Sequence, residues 1–202
     1  VGSVIEGAEY YRFPEARARI GGAGKDYAAL LEERVRPGDL IFVRTRGIVF
    51  SLGRKATRND YDHVAVVTDS GGTLNIVNPR AVTLPVSYFA RSASAPLVMR
   101  PQWRDEGRVR LFLDHVGRYG DCEYNLRKTI LGTGVRVGMK KPTDSYEKWI
   151  CTEAIIAGLV SAQPEFGAIQ CMKLDYNRLG FATTNDFFRI ARARPDLLRI
   201  VD

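Results

Sequence analysis

The sequence has few of the residues from which metal and redox centres are built. It holds three cysteines and two histidines in 202 residues. Cys122, Cys151 and Cys171 are an odd number without paired spacing. That argues against a disulfide framework and fits a reducing compartment or a catalytic thiol. His63 and His115 belong to no cluster with metal-ligand spacing, so no metal is expected. No glycine-rich phosphate loop, zinc-finger spacing or RNA-binding aromatic motif is present. Neither a cofactor nor a specific nucleic-acid partner is therefore expected. No apolar run approaches the roughly 18 residues a transmembrane helix requires. No secretory h-region is visible, although the chain opens on Val1 and leaves room for a removed leader. No residue names the compartment; the expectation leans to the cytoplasm.

What is present is ordinary for a globular protein: 45% hydrophobic and 26% charged residues. The expectation is a single domain over 1–202, with 1–36 as an N-terminal helical extension. The net charge is +7. Arg189, Arg192, Arg194 and Arg199 crowd the C-terminal end. Such a balance offers affinity for an anionic surface, whether lipid, cell-wall polymer or nucleic acid. It also describes a solvated basic exterior.

Along the chain, Tyr27, Leu30, Leu31 and Val35 recur at helical spacing after a cap at Asp26. Arg36 to Asp39 reads as a turn, and Leu40 to Val43 as a buried strand. The stretch from Arg44 to Arg58 is basic, with Ile48, Val49, Phe50 and Leu52 interleaved. It reads as a loop with some helix, either facing substrate or merely connecting. Tyr61 to Val67 is the next strand, opened by His63. Gly71-Gly72 turns the chain, and Leu74 to Pro79 returns antiparallel. Ala81 to Val86 and Leu97 to Met99 add strands. Val109, Leu111, Phe112, Val116 and Tyr119 then mark a helix. Gly120 to Asn125 breaks it. Gly132, Gly134 and Gly138 mark a flexible stretch, and Lys140 to Lys148 a polar loop. Pro164 to Asn177 reads as irregular, and Thr184-Asn185-Asp186 caps a last helix.

The chain is organised around Trp149 to Val160. Ala154, Ile155, Ile156, Ala157, Leu159 and Val160 leave almost no polar face, which predicts a buried helix. Cys151 lies in its first turn. The unpaired N–H groups and the dipole there favour thiolate. A cysteine in a core helix is also often a small apolar residue and nothing more.

A nucleophilic cysteine needs a base in reach, and histidine is the usual one near neutral pH. A third polar group must orient the imidazole. A helix packed on the sheet can bring the start of the Cys151 helix to the start of the His63 strand. Asn75 or Asn78, on the returning strand, can accept from the other ring nitrogen of His63. Their odd separation puts them on opposite faces, so only one can face the site. Asn78, before Pro79, is equally an ordinary turn residue. His115 sits among Asp114, Arg118 and Asp121 and reads as a solvated helix face. Cys122 and Cys171 lack a helix-start setting and read as structural or incidental.

These residues resemble a family. Gly38-Asp39-Leu40-Ile41-Phe42, followed by Asp62-His63-Val64-Ala65-Val66-Val67, looks like the start of the NlpC-like, circularly permuted papain-fold hydrolases (the YaeF/YiiX type). Cys151-Thr152-Glu153-Ala154 is similar to their Cys-Ser-Glu-Leu nucleophile motif. Gly117 to Gly120 with Tyr124-Asn125 is similar to their G-x-x-Y-D/N stretch, and Thr184 to Phe187 to their late turn. The resemblance spans about Pro37 to Phe188, with histidine before cysteine as in the permuted order. It implies an α+β, permuted papain-like fold: an antiparallel, partly barrel-like sheet packed against the cysteine helix.

The resemblance implies that Cys151 is the nucleophile and His63 its base. Val77 to Val82 is similar to the segment where the family carries a glutamate, and this chain has Asn78 there. Asparagine can orient an imidazole but brings no charge to an imidazolium. The third member thus stays open among Asn78, Asn75 and neither. Tyr124 is a candidate oxyanion or substrate donor. The implied activity is a thiol-dependent amidase or peptidase on small peptide amides or cell-wall-like peptides, through an acyl-enzyme. A lipid esterase or acyltransferase, as in lecithin:retinol acyltransferase relatives, is the alternative. A binding module that kept the fold and lost the chemistry is a third.

Overall fold

The computed structural model describes residues 33–57, 59–77, 81–88, 93–121, 123–124, 148–149, 151–171 and 182–201. It is an α+β protein built on a six-stranded antiparallel sheet. The strands are β1 (Leu40–Thr45), β2 (His63–Val67), β3 (Gly72–Asn75), β4 (Val82–Pro85), β5 (Ala93–Pro101) and, near the C-terminus, β8 (Leu198–Val201). Their order across the sheet is β4-β3-β2-β1-β5-β8. A separate parallel pair joins β6 (Glu123–Tyr124) to β7 (Lys148–Trp149). The helices are α1 (Ile48–Thr57), α2 (Glu106–Gly117), α3 (Cys151–Ala162) and α4 (Thr184–Ala193).

Strand β1 is central and buried on both faces. Leu40 and Phe42 point into the larger core, with Val64, Val66, Leu97, Met99 and the inner faces of the helices. Ile41 and Val43 point the other way, with Ala65, Val67, Val86 and Val98. The period of two thus separates two apolar layers. The expected apolar runs at Leu40–Val43 and Val64–Val67 exist because both faces are covered. The β2–β3 turn lies where the paired glycines predicted it, with Gly71 at φ 75°.

Helices α2 and α3 pack closely. A Cβ on Gly158 would fall 2.7 Å from Val116 Cγ2 and 3.1 Å from the Phe112 ring. Only glycine allows that approach. Helix α4 is held by Phe187 and Phe188 against Phe42, with ring centroids 5.3 and 5.7 Å apart. At its start the Thr183 N–H donates to Asp186 Oδ2 at 3.0 Å, so the cap is Thr183, one residue before the expected triplet. The buried carboxylate of Asp39 receives Arg100 Nε and Nη2, each at 2.8 Å, and ties the entry to β1 to β5.

Three expectations need correction, and one strand was not expected. The sheet is open rather than partly barrel-like. β4 and β8 are its edges, and β4 is short, mostly exposed and ends on Pro85, which lacks a ladder donor. The basic stretch after Arg44 is not mainly loop. β1 runs on to Thr45, Gly47 turns the chain at φ 124°, and α1 follows with Ile48 and Leu52 79% and 59% exposed. Finally, β8 was not anticipated. Its four residues are Leu-Arg-Ile-Val, too short and too charged to read as a strand, and its pairing with β5 supplies the missing stabilisation. The irregular reading after Pro164 becomes a 3-10 segment, Pro164–Cys171. Most of the expected Tyr27–Val35 helix, the 125–147 segment, Cys122 and Asn78 lie outside the described residues. No described helix is long and apolar enough to cross a membrane.

Candidate active site

Cys151 is the first residue of α3 and is 5% exposed. His63 is the first residue of β2, level with Val43 of β1. The structure brings the two together: their side chains are hydrogen-bonded. Backbone N–H groups of Val64 and Thr152 also donate to the sulfur. One comes from the strand behind the histidine and the other from the first turn of the helix.

Two hydroxyl bonds hold these element starts in place. Thr152 Oγ1 donates to the Ala182 carbonyl at 2.7 Å. Thr184 Oγ1 donates to the Tyr61 carbonyl, also at 2.7 Å. The chain entering α4 therefore grips the cysteine's neighbour on one side and the approach to His63 on the other. All four residues are buried, so these bonds face little competition from water.

The third group is Asn75. Its Oδ1 lies 3.2 Å from His63 Nε2, which leaves Nδ1 for the thiol. Of the two asparagines considered, the structure thus pairs Asn75 with the ring, while Asn78 is outside the described residues. Asp62 adds a charge behind the histidine. It is held by Arg54 of α1 and by the Thr45 N–H at 3.0 Å.

The electrostatics follow from these contacts. Burial pushes the Cys151 thiol up, but the His63 charge and hydrogen bond and the two backbone N–H groups outweigh it, and the pKa is lowered. Burial likewise pushes His63 down. The Cys151 charge and hydrogen bond, the Asn75 hydrogen bond and the Asp62 charge outweigh it, and the pKa is raised. Both shifts favour a thiolate–imidazolium pair.

Tyr124 pairs in β6 with Trp149 of β7, two residues before Cys151, but its side chain lies outside the described residues. His115 is remote in role. It is half-buried on α2, and its Nε2 lies 3.2 Å from Tyr119 Oη. The helix face expected to be solvated is half-exposed, with Asp114 and Arg118 exposed beside it, and His115 also makes a ring contact with Tyr119 just beyond α2. Sequence reasoning missed Asp62, Arg54 and the Val64 N–H. Only Asp62 left a signal, as the residue next to the histidine.

The arrangement can do nucleophilic chemistry. It offers a thiol whose ionisation is favoured, an imidazole beside it that can act as base, and an amide that orients the imidazole. The N–H of Cys151 itself is among the first of its helix, which lack intrahelical acceptors and can meet an oxyanion. Compared with known proteins, the chain matches no family model and no curated protein.

Proposed function

We propose that this protein is a cysteine hydrolase of the permuted papain-like kind, acting on amide bonds of small peptides. The observation that carries the reading is the contiguous series Asn75–His63–Cys151, with Asn75 and Cys151 buried and His63 half-buried, in which both shifts favour the charged pair. The Cys151 thiolate attacks the amide carbonyl carbon. The oxyanion is held at the start of α3. His63 gives its Nδ1 proton to the leaving nitrogen, and the C–N bond breaks. A thioester remains on Cys151. His63 then takes a proton from water, hydroxide adds to the thioester, and the acid leaves as the thiolate re-forms beside imidazolium.

The test is capture of the thioester. Incubation with a small activated ester or peptide amide, quenching in acid and mass mapping are expected to find the acyl group on Cys151. The adduct should be absent in His63→Ala. An unmodified Cys151 in folded protein that also resists alkylation would favour the binding-module reading.

One observation favours a lipid ester as the substrate. Ile48 and Leu52 lie on the outer side of α1, beside the exposed cations Arg46 and Lys55. An apolar helix face rimmed by cations suits an anionic lipid surface. Under that reading, turnover rises on anionic vesicles over neutral ones and falls with salt. A water-soluble peptide substrate would show neither effect.

A further inference from the structure

Thr73 stands behind Asn75, and its hydrogens can be placed without ambiguity. It is 0% exposed and Asn75 1%. Both lie on β3, two residues apart, so they share a face. Thr73 Oγ1 lies 2.8 Å from the carbonyl oxygen of Leu84, its partner across the β3–β4 ladder. A carbonyl has no hydrogen to give. The single hydroxyl proton of Thr73 must therefore go to Leu84, and Oγ1 is left as an acceptor. Asn75 Nδ2 lies 3.1 Å from that Oγ1 and 3.0 Å from the Thr73 carbonyl. Both contacts require the NH2 end of the amide. The Asn75 oxygen is thus the end left for His63 Nε2.

The consequence reaches the thiol. An acceptor opposite Nε2 demands a proton on Nε2. When the ring is neutral, its lone pair then sits on Nδ1, toward Cys151, where it can take the thiol proton. With the amide reversed, an NH2 group would face Nε2 and favour the Nδ1–H tautomer. That form has no lone pair for the sulfur. The choice between a competent and an incompetent base is therefore made two groups away, at the ladder between β3 and the edge strand β4.

We propose that Thr73 is a positioning residue that sets the His63 tautomer by fixing which way the Asn75 amide points. It touches neither the thiol nor a reacting atom. The idea deepens the hydrolase reading and rests on it for its catalytic meaning, but the tautomer itself can be read without any substrate.

The test uses the full chain in a Cys151→Ala background, where His63 has no thiolate partner and its neutral form is accessible. Nitrogen-15 NMR of the imidazole reports the tautomer. The Nε2–H form is expected in Cys151→Ala alone and with Thr73→Ser added, which keeps the hydroxyl. With Thr73→Val added, the Thr73 carbonyl still receives Nδ2 but the hydroxyl acceptor is gone, and a mixture of Nε2–H and Nδ1–H rings is expected. An unchanged Nε2–H ring in a folded Thr73→Val variant would overturn the proposal. If Thr73→Val does not fold, the parent variant still decides. The Asn75 amide protons should show stronger Overhauser contacts to Thr73 than to the His63 ring, and the reverse pattern refutes the proposal. In chains that retain Cys151, Thr73→Val should slow its alkylation near neutral pH several-fold, and Thr73→Ser should restore it. A wild-type Cys151 that does not react at all would count against the hydrolase reading while leaving the tautomer result to stand.

Discussion

The two histidines of this chain sit in opposite electrostatic surroundings. His63 is pressed against a thiol, an amide oxygen and, at longer range, the charge of Asp62, and its pKa is raised despite burial. His115 is half-buried on α2, and burial and then the Arg118 charge lower its pKa. Desolvation acts in the same direction on both. What separates them is the sign of the neighbouring charge. A histidine that faces developing negative charge is set up to hold a proton beside a nucleophile. One that faces a cation and a tyrosine hydroxyl is part of the packing. The surroundings agree with this division. His63 stands where β2, α3 and the entry to α4 converge. His115 precedes Val116, whose side chain meets α3 at Gly158.

The largest expected effect comes from removing each ring in turn. His63→Ala should cut Cys151 alkylation near pH 6.5 by up to about 100-fold, the limit set by the thiolate fraction of a thiol that returns to about 8.5. His115→Ala should leave that rate unchanged. Equal losses in both variants would erase the distinction. Next in size is the packing seam. Gly158→Ala is expected to lower stability by about 1–3 kcal/mol through overpacking against Val116 and Phe112. Denaturant titration measures this, and the alkylation rate of the folded variant should match wild type.

A smaller effect is expected for Asn75→Ala. A hydrogen bond to a charged group contributes about 1.5–3 kcal/mol. Because water can replace part of it, alkylation should slow by about tenfold, the equivalent of roughly 1.4 kcal/mol. Smallest is the pH dependence of stability at His115. Its folded pKa is lowered, so the unfolded chain binds the proton more readily. Stability is therefore full above the ordinary value of about 6.5 and declines as pH falls through the folded value. His115→Gln should flatten that decline in denaturant midpoints measured on either side of 6.5. A steeper decline would mean that His115 holds its proton in the fold.

The sequence carried the parts of this site that depend on local pattern. A glycine pair set the β2–β3 turn, a strand began at His63, and an apolar helix began at Cys151. Those starts meet, because antiparallel strands and a covering helix leave few other ways to close the core. Parity along the expected return strand, Leu74 to Pro79, said that only one of Asn75 and Asn78 could face the ring, but the choice needs the three-dimensional position of His63. Helix α1 was obscured because its apolar residues point outward, against the inside-out rule by which helices are read. β8 was obscured because a four-residue strand holds its place through β5 rather than through its own composition. Thr73 gave no signal at all. Its role depends on a carbonyl across the ladder that no sequence pattern displays.

The central question is whether Cys151 and His63 stand as a thiolate–imidazolium ion pair. The direct measurement is a pH titration of ultraviolet thiolate absorbance in wild type, with the Cys151→Ser curve subtracted to remove Cys122 and Cys171. The account predicts a difference step well below the ordinary thiol value of about 8.5, and the loss of that low step in His63→Ala. A difference step at or above the ordinary value, unchanged by His63→Ala, would contradict it and leave Cys151 as a buried core residue.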